Sequence, residues 1–270
     1  MADDEYEPEY EPEEVHLSTS ASFPPLTLSV MTVLPPPVEY MSLIHDQKIE
    51  ISSRKVWCGS LLLAQHLASR PPSPSARILE LGAGTGIVSL SLVARGLGRL
   101  VALTDGDDEA IKLLEENVLM NKTDVVGEGA DGAPTAGLVE YLWGDDDTRV
   151  SSLSDWCRSR WPGIAWGAGD AAFELVVAGD VMYKEELPAL FFESVGRLLA
   201  PGGQLLLCHV PRANVTHEVV VSAAERQGFA VERVDKFTWG EEGGEGEDTL
   251  PDGCPMEDAA RARIYRVMRK

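Results

Sequence analysis

The stretch Ile78-Leu79-Glu80-Leu81-Gly82-Ala83-Gly84-Thr85-Gly86-Ile87-Val88-Ser89-Leu90 decides the fold of this chain of 270 residues. Its first part is an apolar run, three glycines follow at alternate positions, and an apolar pattern of helical spacing comes after them. This order predicts a buried strand, a tight turn and the start of a helix. Glycine accepts positive φ and lets a ligand lie against bare backbone, while free N–H groups at the helix start favour polar ligand groups. The alternative is a turn that only packs the helix on the strand.

The composition is that of a globular protein with a substantial core. Hydrophobic residues make up 44% of the chain, and 270 residues accommodate one large α/β domain with extensions or two small domains. No apolar run approaches the roughly 18–20 residues of a membrane span, so we expect no membrane partner. The acidic N-terminus is unlike a secretory or mitochondrial signal, which predicts a location in the cytosol or the nucleus.

The net charge of −21 is concentrated in two short segments. Residues 3–14 and 241–258 each hold eight acids and no base, so about −5 remains on the rest of the chain. Nucleic acid is not expected as a direct partner, because phosphate binding needs clustered Lys and Arg. The acidic segments favour a basic protein partner, or they only keep the protein soluble.

The four cysteines are far apart and show no metal-ligand spacing, so we expect reduced thiols and no metal site. They are Cys58, Cys157, Cys208 and Cys254.

Strand and helix patterns alternate from residue 77 onward, which predicts an α/β fold with a doubly wound, mostly parallel sheet. The last two strands, 229–237 and 261–268, lack a helix between them and predict an antiparallel hairpin at the sheet edge. We expect an acidic, disordered tail over 1–24 and one domain over 25–270. The domain has a β-prone N-terminal extension, in which 26–34 and an edge strand at 45–52 are extended. Segments rich in Gly, Asp, Glu or Ser predict surface insertions at 123–136, 145–171 and 240–260.

The glycine turn must be compared with the dinucleotide-binding fingerprint G-x-G-x-x-G. Here Ile87 stands where the third glycine of that fingerprint would fall. Asp105 ends the next strand, where an acid that accepts hydrogen bonds from ribose hydroxyls is expected for either class of cofactor. The glycine spacing and Glu80 favour an adenosyl cofactor without a pyrophosphate.

Four motifs together make the chain resemble the seven-strand S-adenosylmethionine-dependent methyltransferases of the Rossmann-like fold. Within them it resembles lysine methyltransferase family 16, the methyltransferase-like 21 group. The motifs are Glu80-Leu-Gly-Ala-Gly-Thr-Gly86, Thr104-Asp105, Leu142-Trp143-Gly144 and Asp180-Val181-Met182-Tyr183, and Val56-Trp57 matches the segment that covers the cofactor. The first motif indicates only the superfamily, whereas the Trp-Gly and D-x-x-Y motifs point to family 16.

This resemblance implies a role for each matching residue. Gly82, Ala83 and Gly84 would run beneath the methionine and ribose of S-adenosylmethionine, and Asp105 would hold the ribose hydroxyls. The remaining cofactor-binding residues would be Glu80, Trp57 over the methionine end and Trp143 on the adenine. Asp180 and Tyr183 would be the catalytic residues, at the point where the substrate nitrogen meets the methyl group.

Structural alternatives exist for several of these residues. Trp57 and Trp143 could be ordinary packing residues, and Asp180 could cap the next helix. Glu80 could accept hydrogen bonds from nearby backbone N–H groups as well as from the cofactor. His209 lies in an apolar strand and is expected to be a core or strand-end residue, and no Ser–His–Asp arrangement supports a hydrolase.

The sequence therefore predicts a monomeric protein N-methyltransferase that methylates lysine and releases S-adenosylhomocysteine. The chemistry needs no metal, because a sulfonium is already a good methyl donor, and Asp180 would position the amine. One rival is a methyltransferase for protein arginine or histidine, or for a small molecule, since similar sites host different acceptors. The other is a non-enzymatic cofactor-binding module that has kept the fold.

Overall fold

A computed structural model describes residues 7–17, 23–35, 52–121, 135–144, 147–164, 166, 173–234 and 250–270. It contains two groups of strands and seven α-helices within these residues. The strands are β1 (Tyr10–Leu17), β2 (Leu26–Val33), β3 (Arg77–Leu81), β4 (Leu100–Asp105), β5 (Thr135–Glu140), β6 (Phe173–Gly179), β7 (Leu199–His209), β8 (Phe229–Arg233) and β9 (Arg263–Arg269). The helices are α1 (Cys58–Ser69), α2 (Ile87–Ala94), α3 (Asp108–Met120), α4 (Asp147–Arg160), α5 (Leu187–Leu198), α6 (His217–Arg226) and α7 (Met256–Arg261).

The main sheet has seven strands in the order β5-β4-β3-β6-β7-β9-β8. The first five are parallel, whereas β9 is antiparallel to both β7 and β8. Side chains alternate between its two faces: Ile78 belongs to a core cluster shared with α1 and α2, and Leu79 to a cluster shared with α5. The predicted doubly wound, mostly parallel sheet with an antiparallel edge hairpin is confirmed.

The strand order reverses beside β3. From β3 the chain proceeds outward to β4 and β5, and it then returns to place β6 on the other side of β3. In open α/β sheets, such a reversal leaves a crevice outside the carboxyl ends of the strands, where ligands bind. The glycine turn that follows β3 lies at this reversal, so the fold itself brings the carboxyl ends of β4, β5, β6 and β7 around it.

The N-terminal segment differs from the predicted disordered tail. Residues 10–17, inside the predicted tail 1–24, form β1 and pair antiparallel with β2. The acidic composition hid two apolar side chains, Val15 and Leu17, which are buried in the core cluster together with Leu28 and Val30 of β2. Residues 1–6 lie outside the described part of the chain.

Two asparagines, one in α3 and one directly after its last residue, fix this hairpin to the domain. Asn121 Oδ1 accepts the N–H of Ser29 at 3.0 Å, and its amide nitrogen donates to the Ser29 carbonyl at 2.6 Å. Asn117 accepts the N–H of Met31 at 2.5 Å. These side chains satisfy the open edge of β2 as another strand would. The predicted edge strand at 45–52 falls almost wholly outside the described residues, and Ser52 begins a short 3-10 helix, Ser52–Arg54.

The predicted insertions contain regular structure where they are described. The segment 145–171 holds α4, and Trp156 meets Trp161 edge to face at 5.3 Å between ring centroids, so the tryptophans there do pack locally. β5 begins within 123–136, and residues 122–134 lie outside the described part. The segment 240–260 ends in the buried Cys254 and in α7, whose Ala259 is also buried.

The expectation of four reduced cysteines is wrong for two of them. Cys58, the first residue of α1, forms a disulfide with Cys254, 196 residues later, with the two Cα atoms 4.7 Å apart. Spacing along the sequence could not reveal this pair, because it depends on the docking of the C-terminal segment against α1. Cys157 and Cys208 are free and buried.

Candidate active site

One cavity of about 340 Å³ opens at the carboxyl ends of the parallel strands. Its wall contains eight of the nine residues that the sequence marked, and the ninth, Glu80, lies outside it. The eight are Trp57, Gly82, Ala83, Gly84, Asp105, Trp143, Asp180 and Tyr183. Strand order explains why they meet, since parallel strands end at the same edge of a sheet.

The glycine turn is held by hydrogen bonds to the end of β4. The N–H of Ala83 donates to the Thr104 carbonyl at 2.8 Å, and the N–H of Gly84 donates to Asp105 Oδ2 at 2.9 Å. Gly84 has φ 54°, and a Cβ there would lie 2.8 Å from the Ser53 carbonyl oxygen. Position 84 therefore requires glycine, because a side chain would be strained by this φ and would collide with Ser53. Without a side chain, the backbone is exposed along the cavity wall.

Asp105 is nearly buried, and its carboxylate accepts hydrogen bonds from the loops on both sides of it. Besides Gly84, it accepts the N–H of Asp107 through Oδ1 at 3.2 Å. Burial raises the pKa of Asp105, and the bonds from Gly84 and Asp107 oppose that rise. The N–H of Gly106 also contacts this carboxylate. A carboxylate has about four acceptor positions in all, so Asp105 can still accept a hydrogen bond from a ligand hydroxyl.

Two tryptophans cover the cavity from different elements. Trp143 follows β5 and packs edge to face on Phe191 of α5, with ring centroids 5.1 Å apart. Trp57 immediately precedes α1, and its indole N–H donates to the Ser52 carbonyl at 2.6 Å. Both rings are half-buried, so each combines packing with a face toward the cavity.

Glu80 plays the structural part that was the alternative in its case. Its Oε2 accepts the N–H of Ser89 in α2 at 3.0 Å, and its side chain is buried on the helix side of the sheet. Burial raises the pKa of Glu80 to about 8. Strand alternation explains the placement, because Glu80 shares the face of Ile78, which packs against α1 and α2.

Asp180 follows β6 in a left-handed conformation with φ 59°, which Asp adopts more readily than most residues. Its side chain is 1% exposed, and Oδ2 accepts a hydrogen bond from Nη2 of Arg212 at 2.6 Å. Oδ1 is buried and has no hydrogen bond of normal geometry from any described residue. Asp180 does not cap α5, because that helix begins at Leu187 with Glu186 at the capping position.

The pKa of Asp180 is raised by burial, a rise that Arg212 and the nearby N–H of Gly59 oppose. A Cβ at Gly59 would lie 2.8 Å from the Cβ of Asp180, so the first turn of α1 rests directly on this residue. A buried carboxylate oxygen without a hydrogen bond of normal geometry is a favourable acceptor for a donor that reaches it.

Tyr183 lines the same side of the cavity as Asp180. The ammonium of Lys184 lies 5.4 Å from the centroid of the Tyr183 ring. His209 is fully buried and meets His217 edge to face at 5.0 Å, as expected for a core residue, and burial lowers its pKa to about 4.

Sequence analysis missed Arg212 and Gly59. Arg212 comes just after β7, so the rule that singled out the ends of β3, β4 and β6 applies to it as well. A lone arginine in a loop has no spacing signal of its own. Gly59 opens a helix and looks like an ordinary small residue until Asp180 is placed against it.

Within the described ranges, no group of three or more His, Cys, Asp or Glu side chains could hold a metal ion. No helix there is long and apolar enough to cross a membrane.

Comparison with known proteins agrees with this geometry. Residues 40–131 match the model of a family described as lysine methyltransferase. The resemblance of the chain to a lysine methyltransferase family is confirmed. The chain is 28% identical over 170 residues to the protein N-terminal and lysine N-methyltransferase EFM7 of Yarrowia lipolytica, covering 58% of this chain and 57% of that one. It is 25% identical over 181 residues to the protein-lysine N-methyltransferase EFM3 of Chaetomium thermophilum, covering 66% and 48%.

The chain thus spans about half the length of these curated relatives. Among solved structures, SMU.776 complexed with SAH has the same fold. It superposes with a TM-score of 0.50 at 10% identity, covering 89% of this chain and 53% of that one. The methyltransferase fold is therefore confirmed as well as the family resemblance.

Proposed function

We propose that the protein is an N-methyltransferase that uses S-adenosylmethionine to methylate lysine in a protein substrate. The observation that carries the proposal is one cavity with two chemically different sides. The glycine turn, Asp105 and Trp143 offer bare backbone, acceptors and an aromatic face toward β4 and β5. Asp180 lines the cavity toward β6 and β7, and its buried Oδ1 accepts no hydrogen bond of normal geometry from the described residues.

The residues of the first side fit the proposed cofactor. A cavity of about 340 Å³ lies within the range of small-molecule sites, roughly 300–1,000 Å³. The Asp105 carboxylate has about four acceptor positions and three backbone N–H contacts, so it can still accept a hydrogen bond from a ribose hydroxyl. Gly82 and Gly84 would face the methionine and ribose parts, Trp143 would pack on the adenine, and Trp57 would cover the methionine end.

S-adenosylmethionine, when bound, would supply an electrophilic methyl group, so the protein needs only to position the acceptor and exclude water. Asp180 would accept an N–H of the acceptor nitrogen through Oδ1 and so orient its lone pair. Tyr183 would line the path of the amine, and Trp57 and Leu187 would keep water from it. A carboxylate raises the pKa of a nearby amine, so we assign Asp180 a positioning role rather than that of a base.

Lysine is the preferred acceptor because the matched family and the relatives EFM7 and EFM3 are named for lysine methylation. The name of EFM7 also includes N-terminal methylation. An N-terminal amine is chemically similar to lysine and has a lower pKa, about 7.7–8.0, so it is the second candidate. The acidic segments 3–14 and 241–258 favour a basic protein substrate. A monomer in the cytosol or nucleus stays a prediction.

Labelled S-adenosylmethionine and an extract from methylation-deficient cells provide the test. We expect the protein to transfer label to a protein band, and mass spectrometry to place the methyl group on lysine. Asp155→Asn, an exposed carboxylate on α4, is the matched control for Asp180→Asn. Label on arginine, histidine or a small molecule would support the rival enzymes. Calorimetric cofactor binding without any labelled product would instead support a non-enzymatic module.

A further inference from the structure

Arg212 connects three distant parts of the chain beside the acceptor side of the cavity. Its Nη2 donates to Asp180 at 2.6 Å and to Asp258 of α7 at 3.3 Å. Its guanidinium carbon also lies 4.7 Å from the centroid of the Trp57 ring. A planar cation stacked on tryptophan while bonded to carboxylates has little freedom to move. The side chain is therefore held in place from three directions.

This contact divides the carboxylate of Asp180 into two unlike oxygens. Oδ2 is occupied by Arg212, whereas Oδ1 is buried without a partner of normal geometry among the described residues. A bond from a charged donor fixes the plane of the carboxylate. Arg212 thus fixes the orientation of Oδ1, the carboxylate oxygen without such a partner.

Arg212 also changes the charge that an incoming amine meets. Besides its hydrogen bond from Arg212 at 3.3 Å, Asp258 accepts a hydrogen bond from Arg261 at 2.7 Å. Two acids, Asp180 and Asp258, and two bases, Arg212 and Arg261, are therefore linked by contacts. The formal charge of these four groups is zero, and the group bonded to Asp180 is the cation. The α1 residues nearest this turn are uncharged: Gly59 lies against Asp180, and Ser60 lies against Gly179. The other titratable or charged groups around the cavity and behind Arg212 are Lys55, Asp105, Asp107, Tyr183, Lys184 and His209.

We propose that Arg212 is a positioning residue that presents Oδ1 of Asp180 to an uncharged primary amine and disfavours entry of the protonated amine. The inference rests on the proposed methyl transfer and adds a selectivity that the fold alone does not supply. An ammonium would gain little from an acid that is already paired, and it would be repelled by the guanidinium beside it.

The uncharged amine is the form that the transfer requires. Its lone pair forms the new N–C bond while the S–C bond breaks, and the electron pair of the broken bond stays on sulfur. The methylated nitrogen then carries the positive charge and releases a proton to water. No further reactant takes part.

The test compares the pH dependence of kcat in the wild type and Arg212→Gln, with the acceptor identified by labelling. In the plot of kcat against pH, we expect the rising limb for Arg212→Gln to lie at least about one pH unit higher than for the wild type. The reason is that the Asp180 carboxylate, without Arg212, stabilises the ammonium form of the acceptor. At pH 7.5 kcat should fall about 10-fold, as a one-unit shift implies. KM for the acceptor should fall with it, since the ammonium now binds better. Arg212→Lys, which keeps the charge, should restore the limb in part.

Two further variants test the direction of the shift in the pH profile and provide a control. Asp258→Asn removes the negative charge on the other side of Arg212, so its limb should move to lower pH. Arg158→Gln, an exposed arginine paired with Asp155 on α4, should leave the limb in place. Loss of activity by misfolding would lower kcat without moving the limb or reducing KM.

Carbon-13 NMR of aspartate carboxyls provides a readout that needs neither cofactor nor acceptor, with Asp180→Asn assigning the signal. The pKa of Asp180 should be higher in Arg212→Gln than in the wild type. An unmoved kcat limb or an unchanged Asp180 titration in folded Arg212→Gln, with normal labelling by the wild type, overturns this inference alone. Absence of labelling by the wild type overturns the proposed function and this inference together.

Discussion

The two sides of the cavity are built in different ways. On the cofactor side, Gly84 follows β3 and Asp105 ends the neighbouring β4, and a hydrogen bond of 2.9 Å joins these two residues, which are only 21 positions apart in sequence. On the acceptor side, Asp180 is bonded to Arg212, which in turn contacts Asp258, 46 residues later. Backbone hydrogen bonds hold the first side, whereas ion pairs between distant segments hold the second.

This difference indicates that the two sides can be altered separately. The glycine turn has its conformation fixed by β3 and β4, so it depends little on the C-terminal segment. Asp180 keeps its orientation only while Arg212 and the residues around α7 are docked. Cofactor affinity and turnover should therefore respond to different substitutions.

The largest effect is expected from Asp180→Asn. Loss of the oriented carboxylate should lower kcat by about 100-fold or more, the usual cost of misplacing a reacting group. The cofactor Kd should stay within about twofold of the wild type, as the two-sided construction requires. Labelled-methyl kinetics and calorimetry measure the two quantities, and Asp155→Asn is the control. A large rise in Kd with unchanged kcat at saturating cofactor would show that the two sides are not separate.

Asp105→Asn should have the reverse pattern. We expect the cofactor to bind more weakly by about 1–3 kcal/mol, the range for loss of a hydrogen bond to a charged group. At saturating cofactor, kcat should recover most of its wild-type value. Asp108→Asn, at an exposed position of the first turn of α3, is the matched control. If isothermal titration gives an equal Kd for Asp105→Asn and the wild type, the assignment of Asp105 is wrong.

Glu80→Gln tests the frame beneath the cofactor side. The folded pKa of Glu80, about 8, lies above its ordinary value of 4.5, so the folded protein binds this proton more tightly. Stability should then fall as pH rises from about 4.5 to about 8, by up to about 1.4 kcal/mol per pH unit. Urea unfolding across this window should show a flatter pH dependence for Glu80→Gln. An identical slope in both proteins would contradict the buried, protonated state.

The smallest expected effect is a difference in the number of free thiols. It tests whether a disulfide holds the C-terminal segment that supports the acceptor side. Denatured protein that has not been reduced should titrate two thiols, Cys157 and Cys208, and reduced protein should titrate all four cysteines. Four thiols in the unreduced sample would show that Cys58 and Cys254 are not joined. Noncovalent contacts through Asp258 would then hold this segment alone.

Local pattern was enough to predict the cofactor side. The apolar run, the glycine spacing and Asp105 all lie within one strand–helix–strand unit, where period and turn chemistry are readable. The same reasoning reached Asp180, because a carboxylate directly after a buried strand must lie at the ligand edge. Glu80 is the exception because it lies outside the cavity wall, and the alternation of β3 indicates that its side chain is on the same face as Ile78.

The acceptor side was only half predictable. Arg212 meets Asp180 because β7 pairs with β6. Cys254 and Asp258 reach α1 and Arg212 because β9 returns to pair with β7, a contact with no local signal. Composition misled in the same way at β1, where the acids concealed Val15 and Leu17, and pairing with β2 decided the outcome. Contacts between distant segments, rather than residue type, were the missing information.

The position of β9 between β7 and β8 has a consequence for synthesis on the ribosome. β8 emerges before β9, and it has no partner in the sheet until Arg263–Arg269 has been made. Until then β7, an internal strand of the finished protein, presents an open edge to other nascent chains. A stop codon placed before Arg263 should therefore give a product that aggregates rather than one that merely lacks a tail.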